Sequence, residues 1–423
     1  MMRSIGMAAV MSSVALTTPV TMAGDAGNDA KPPATWADSI AFSAQIDFGL
    51  TANSSAPDDD RNFGRLFDDK SNEVLLNHLL ITAQRPIDLT SKGYDFGFKL
   101  QGMYGADARY THFLNELQDT THDLNQVDVV EAYALVHTPW FTDGGFDIKA
   151  GQYVTLEGAE TIDSTTNIFY SHSYIFNFGI PFKHTGVLAV LHVNPMLDLY
   201  AGVDSGVNTA LGGGDNNDEP AFHGGIFLNL LGGNLTSYAT THIGPENAKG
   251  SLPNGLNANS EMRYLNDITT TWKATDKLTL INDLNYIHDD ALNAGHAANG
   301  YGAALYGIYA LDAGFSPAIR FEVWRDDDGA FVAQSGNNVD FVRFEQGLPV
   351  LSARTVGGGK TTYGAITVGV NIKPALAIPH VSGLVIRPEI RYDASLNDTK
   401  PFNDSKDSDM LTLAIDAVFI LNP

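Results

Sequence analysis

The chain has 423 residues, including 41 Gly, 22 Phe and 16 Tyr, and 17% of it is charged, below the roughly 25% of an ordinary soluble protein. A formal charge of −24 and a pI near 4.6 leave no basic stripe for nucleic acid, and the absence of Cys removes any disulfide framework. A mean hydropathy of −0.08 excludes a bundle of membrane helices, but it suits a sheet whose side chains meet lipid and water in turn.

The N-terminus reads as an export address. Met1-Met2-Arg3 is cationic, Ile5 to Val20 is mostly apolar, and Thr21-Met22-Ala23 offers small residues for cleavage. Residues 1–23 are therefore expected to be a signal peptide, and 24–39, with Lys31-Pro32-Pro33, a periplasmic lead. A first membrane helix fits less well, because Ser12, Ser13, Thr17, Thr18 and Pro19 interrupt the run.

From residue 40 onward the dominant pattern has period two, the signature of a strand with two unlike faces. Ile40, Phe42, Ala44, Ile46, Phe48 and Leu50 share one face, with Ser43, Gln45, Asp47 and Thr51 opposite. The same alternation predicts strands near 40–51, 73–85, 94–105, 128–138, 146–156, 184–193, 197–206 and 221–230. It continues at 234–243, 261–274, 277–288, 300–312, 318–325, 361–373, 382–394 and 409–421. Most exceed the usual soluble strand of about 5–6 residues and match the 9–11 residues of a tilted bilayer crossing.

The links alternate in length. Long ones at 52–72, 106–127, 157–183, 207–220, 244–260, 289–299, 326–360 and 395–408 take turns with short ones such as Asn194-Pro195-Met196 and Thr275-Asp276. Long outside loops and short inner turns are the asymmetry of an outer-membrane barrel. Lipid offers backbone groups no partner, so such a sheet must close on itself. The expected fold is all-β: a transmembrane antiparallel barrel over 40–423 with about sixteen strands, fourteen to eighteen fitting the same pattern. That width exceeds what side chains fill and leaves a water-filled channel. Pro388 inside a strand predicts a local bulge. The Gly-, Asp- and Asn-rich loop 326–360 reads as mobile.

The third long loop, 157–183, carries Phe169, Tyr170, Tyr174, Phe176, Phe178 and Phe182. A segment that apolar should fold against something, and the barrel interior is available, so an inward-folded constriction is expected. Glu157, Glu160, Asp163, His172 and Lys183 would then meet the solute path; the aromatics could otherwise cap a subunit interface or the rim. On the wall, Lys99, Lys149, Arg263, Lys273, Arg320, Arg387 and Arg391 should face inward beside Asp47, Glu131, Asp147, Asp267, Asp283, Glu322, Glu389, Asp393 and Asp416. With the wall near balance, the acidity lies in loops such as Asp58-Asp59-Asp60, Asp68-Asp69 and Asp326-Asp327-Asp328, read as solvated charge. Such charge could bridge divalent cations to lipopolysaccharide or favour entering cations.

Signals for chemistry are poor. Val356-Gly357-Gly358-Gly359-Lys360-Thr361 resembles a phosphate loop, but Arg354 stands where its first Gly belongs and a strand follows. The twelve His include no His-x-x-x-His pair, and His288-Asp289-Asp290 reads as a wet rim. No catalytic, cofactor or metal residue is assigned.

Several segments carry a likeness to known proteins. They are Asn62-Phe63-Gly64-Arg65-Leu66-Phe67, Tyr104-Gly105-Ala106-Asp107-Ala108-Arg109, Gly151-Gln152-Tyr153, Asn167 through Tyr174, Asn177 through Phe182, and His184-Thr185-Gly186. Together they resemble the OmpL-like β-barrel porin family of bacterial outer membranes. The resemblance implies a porin-like barrel in the outer membrane and names no solute. Such barrels usually end in an aromatic residue, whereas the last aromatic here is Phe419. The expected function is a passive porin for small hydrophilic solutes and ions, without cofactor or catalysis, in contact with lipid and lipopolysaccharide. Alternatives are a carbohydrate porin with the loop aromatics along its path, a lipid hydrolase using Ser171, and a blocked structural barrel. Analogy with other porins allows a homotrimer, for which the sequence shows no interface stripe.

Overall fold

In the computed structural model the alternating segments form sixteen strands. It describes residues 35–421, apart from 59, 90, 114–116, 118–123, 212–214, 251, 254, 294, 333–358 and 377. The expected signal peptide, most of the expected lead and most of the loop 326–360 lie outside the described residues.

The strands are β1 (Ala41–Asn53), β2 (Val74–Arg85), β3 (Asp95–Gly105), β4 (Gln126–Thr138), β5 (Phe146–Val154), β6 (Lys183–Asn194), β7 (Leu197–Asp204) and β8 (Ala221–Leu230). They continue as β9 (Leu235–Pro245), β10 (Met262–Lys273), β11 (Leu278–Asn293), β12 (His296–Tyr309), β13 (Phe315–Asp326), β14 (Thr361–Ile372), β15 (Val381–Ser395) and β16 (Asp409–Leu421). Each pairs antiparallel with its sequence neighbours, and β1 closes the barrel on β16, with Asp47 opposite Val418 and Gly49 opposite Asp416. Closure leaves no strand edge to be satisfied in hydrocarbon.

The two faces sort as the period predicts. Phe42, Phe48, Leu100, Val187, Ile226, Ile268, Leu305, Phe321, Ile366, Val368, Ile390 and Leu413 are exposed on the outer surface. Their neighbours Gln45, Asp47, Gln101, Asp267, Glu322, Thr367 and Glu389 point inward and are buried. Large apolar side chains outside and polar ones inside invert the order of a soluble domain, which is what lipid as solvent demands.

Two details differ from expectation. The link expected over 289–299 is mostly strand, because β11 and β12 run on to Asn293 and His296 as one long hairpin. Pro388 makes no bulge: the β14–β15 ladder skips from the Gly369–Glu389 pair to the Ile372–Ile386 pair in the same register. A residue without an N–H needs only an omitted bond there, because β16 still holds Pro388 opposite Ile415.

Candidate functional site: the third loop inside the barrel

The link between β5 and β6, residues 155–182, does not rise outward but lies inside the barrel. Backbone that leaves the sheet must find partners for its N–H and C=O groups, and inside the barrel the wall supplies many of them. It does so with charged side chains. Glu389 accepts from the backbone N–H of Tyr170 at 2.9 Å and of Ser171 at 3.3 Å. Glu322 accepts from Tyr174 N at 2.7 Å, Asp267 from Gly158 N at 3.1 Å and Asp283 from Ala159 N at 3.0 Å.

Cations of the wall take the carbonyls. Arg387 Nη1 donates to Ser164 O at 2.6 Å and Asn167 O at 2.9 Å, and Arg391 Nη1 donates to His172 O at 2.6 Å. Asn371 Nδ2 reaches Ile168 O at 2.7 Å. The five N–H bonds of Arg320 are all engaged: Nε on Glu322 (3.1 Å), Nη1 on Glu160 (2.6 Å) and Ser171 O (2.8 Å), and Nη2 on Ser171 Oγ and Thr367 Oγ1 (3.2 Å each). Each guanidinium is thus balanced by a carboxylate, as a desolvated charge requires.

Apolar packing completes the seat. Phe67 of the first loop meets Phe176 edge-on with ring centroids 5.3 Å apart, and His172 stacks on Phe176 at 4.2 Å. Phe176 also lies 5.0 Å from Phe182, and Tyr174 stacks on Tyr363 at 5.0 Å. A π-helical turn, Ile175–Gly179, presses Ile175 toward β12, where a Cβ on Gly302 would collide with it and with Trp324. Across the barrel, Tyr170 covers Gly49 of β1, and any side chain there would strike the ring.

The residues expected to form the constriction are therefore gathered in one place. Glu157, Glu160, Phe169, Tyr170, His172, Tyr174, Phe176, Phe178, Phe182 and Lys183 are buried, and only Asp163 among them keeps part of its surface. Lys183 belongs to β6 rather than to the loop, and binds Asp128 at 2.8 Å. Of the expected wall residues, Arg320, Glu322, Arg387, Glu389, Arg391, Asp393 and Asp267 face inward but are occupied by the loop or by one another. Arg263 pairs with Asp289 at 2.9 Å, and Lys149 sits 4.6 Å from the Tyr133 ring centroid. Lys99, on Glu131 at 2.5 Å, retains 21% exposure of its side chain.

The loop has one polar edge that is not covered: Thr161, Asp163, Thr165 and Thr166 are half-buried while 169–182 are fully enclosed. Gln45 Nε2 fixes Asp163 Oδ1 at 2.9 Å, and Asp163 acts electrostatically on Lys99. Asp163, Lys99 and Glu131 therefore present both signs of charge on the β1–β5 side.

Burial alters other readings. Asp68, Asp69 and Asp326 were expected as solvated loop charge, yet all three are at most 3% exposed. Asp68 binds Arg65 at 2.7 Å, Asp69 binds Arg109 at 2.5 Å, and Asp326 accepts from the backbone N–H groups of Ala330, Phe331 and Val332. Sequence reasoning missed Arg65, which also reaches Asp393 at 2.6 Å, and Asn371. Arg65 lies in one of the segments carrying the family likeness, the only signal that could have singled it out.

His172 has a defined state. Its Nε2 accepts from Asn167 Nδ2 at 3.0 Å, which requires a neutral ring. Burial holds its pKa down at about 3, outweighing nearby Asp107 and Asp68.

Comparison with known proteins agrees with this geometry. The family model described as Putative beta-barrel porin-2, OmpL-like, matches residues 39–421. Among curated proteins none matches the sequence. Solved structures similar in fold include the outer membrane channel DcaP of Acinetobacter baumannii, at 14% identity and TM-score 0.54, covering 90% of this chain and 97% of that one. An anion-selective porin from Comamonas acidovorans has 8% identity and TM-score 0.56, covering 90% and 99%. Salmonella typhi OmpF, in complex with daunomycin, has 10% identity and TM-score 0.55, covering 90% and 97%.

Proposed function

The chain belongs to the Putative beta-barrel porin-2, OmpL-like, family and is an outer-membrane β-barrel porin; from that premise we propose that it passes ions and small hydrophilic solutes by diffusion, without catalysis. One observation carries this reading: the third loop is clamped to the wall along most of its length and leaves a single half-exposed polar edge, Thr161, Asp163, Thr165 and Thr166. Water and solute then run between that edge and the Lys99–Glu131 pair. Opposite charges across a narrow path orient dipolar solutes and select weakly between ions. With a chain charge of −24, the outer mouth adds a mild preference for cations.

Two other readings lose their footing. A sugar slide needs aromatic faces open to the path, but Phe176 and Phe178 are each 2% exposed. A hydrolase using Ser171 needs an accessible hydroxyl beside a base, but Ser171 is fully buried and its Oγ accepts from Arg320.

Planar-bilayer recording in a salt gradient tests the proposal. Discrete conductance steps with a reversal potential toward the cation side are expected. A purified, folded barrel that gives no steps would overturn it.

A further inference from the structure

One group of wall residues lies beside the start of the loop, where His184 Nε2 is 3.1 Å from Thr155 Oγ1. His184 on β6, Asp204 on β7, His223 on β8 and His242 on β9 come from four neighbouring strands and point inward. Register brings them together: Asp204 pairs with Gly186, two residues beyond His184, His223 pairs with Gly202, two residues before Asp204, and His242 pairs with His223. Glu157, at the start of the third loop, and Glu246, directly after β9, close over them. His184, His223, His242 and Glu246 are 0% exposed, Glu157 1% and Asp204 3%.

The distances are those of a ligand set. His242 Nε2 lies 3.0 Å from Asp204 Oδ1, His184 Nδ1 3.4 Å from Asp204 Oδ2, and His223 Nδ1 3.8 Å from Asp204 Oδ2. Ligand atoms of Glu157, His184 and His223 all lie within 4.8 Å of one another, as do those of His184, Asp204 and His242. The two triads share His184 and are linked by the 3.8 Å approach of His223 Nδ1 to Asp204 Oδ2. In a tetrahedral zinc site with bonds near 2.0–2.1 Å, ligand atoms stand about 3.3 Å apart, so small side-chain movements suffice.

Their hydrogen bonding is incomplete. Both ring nitrogens of His223, Nδ1 of His184 and of His242, Oδ2 of Asp204, Oε1 of Glu157 and Oε1 of Glu246 have no hydrogen-bond partner. Buried polar atoms are ordinarily satisfied, and this many in one spot, each with a free lone pair or a proton to lose, calls for a shared partner. Three carboxylates supply the negative charge for a dication, and three imidazoles favour a first-row transition metal over magnesium or calcium.

We propose that the wall of β6–β9 binds one divalent transition-metal ion of the zinc class, with His184, Asp204 and His242 as a triad of ligands and His223 as the fourth. Because His184 follows the third loop, the ion ties the end of that loop to three further strands. The site is structural and does not depend on the conducting reading.

The test uses the full-length mature barrel, stripped with a chelator and folded in detergent. Zn2+ is titrated against a chromophoric competitor, and Co2+ is added as a spectroscopic probe. Saturation at about one equivalent, with the visible bands of tetrahedral Co2+, is expected. His223→Ala/His242→Ala should weaken binding by at least about 100-fold, beyond the loss seen for outer-shell partners. His288→Ala, at the rim, should leave it unchanged. Single His223→Gln and His242→Gln variants, checked for heat-modifiable migration, provide the comparison if the double variant does not fold. No saturable Zn2+ uptake by the folded wild type, or equal uptake by folded His-substituted variants, would overturn the proposal.

Discussion

Arg391 of β15 donates from Nη1 to the backbone carbonyl of His172 at 2.6 Å, so a wall cation holds the main chain of a loop more than two hundred positions earlier. The same guanidinium binds Asp393 at 2.9 Å and Glu322 at 3.1 Å, and Glu322 itself holds the N–H of Tyr174. Charge on this wall fastens the loop.

Substituting Arg391 should therefore loosen the plug. Arg391→Ala leaves the His172 carbonyl without its donor, while Asp393 keeps Arg65 and Glu322 keeps Arg320, so a loss of about 1.5–3 kcal/mol, that of a hydrogen bond to a charged group, is expected. A lower unfolding midpoint in vesicles is expected, together with larger and noisier conductance steps. Unchanged single-channel current would mean the clamp does not control the path.

Phe176 gives a second, apolar test. It packs among Phe67, His172 and Phe182, so Phe176→Ala should cost about 3–5 kcal/mol through the cavity left behind. Liposome swelling should show faster entry of all small sugars with their rank order kept. A loss confined to one sugar would argue instead for an aromatic track.

On the outer face the sign of a substitution depends on lipid. Ile366 is 45% exposed near the middle of β14, and Ile366→Arg there should destabilise the barrel by ~2–4 kcal/mol. Folding titrations in vesicles measure this, and an equal midpoint would show that Ile366 does not meet hydrocarbon.

His172 should make stability depend on acid. Its folded pKa, about 3, lies below the unfolded value of 6.5, so the unfolded chain binds the proton first. This contribution is complete above pH 6.5 and is lost as pH falls through 6.5 toward 3, on the order of 1.4 kcal/mol per pH unit. His172→Gln, whose amide oxygen takes the place of Nε2 as acceptor for Asn167, should flatten the unfolding midpoint over that window. A slope identical to wild type would assign the acid sensitivity to other groups.

Much of the architecture was legible before any coordinates. Strand ends, inward and outward faces and the alternation of link lengths follow from local backbone geometry, because successive side chains on a strand must point to opposite sides. The segment 289–299 reads as a link because Asp289 and Asp290 look like loop residues, although β11 runs on through them: Asp289 is buried on Arg263, and Asp290 accepts from the Met262 N–H at 3.0 Å. The inward loop was legible from its aromatics, but its fastening was not: Glu389 to Ser171 and Arg320 to Glu160 join residues more than a hundred positions apart.

The sequence by itself determined that a two-faced ribbon would span the membrane, and which side chains would turn inward, since period and length are properties of each segment alone. Only the tertiary structure decided what those inward groups meet. The register between strands and the path of the third loop assign Arg391 to a carbonyl, Asp326 to three backbone N–H groups and His223 to His242. Those pairings arise when the barrel closes and the loop packs, and no local pattern encodes a distance between separate strands.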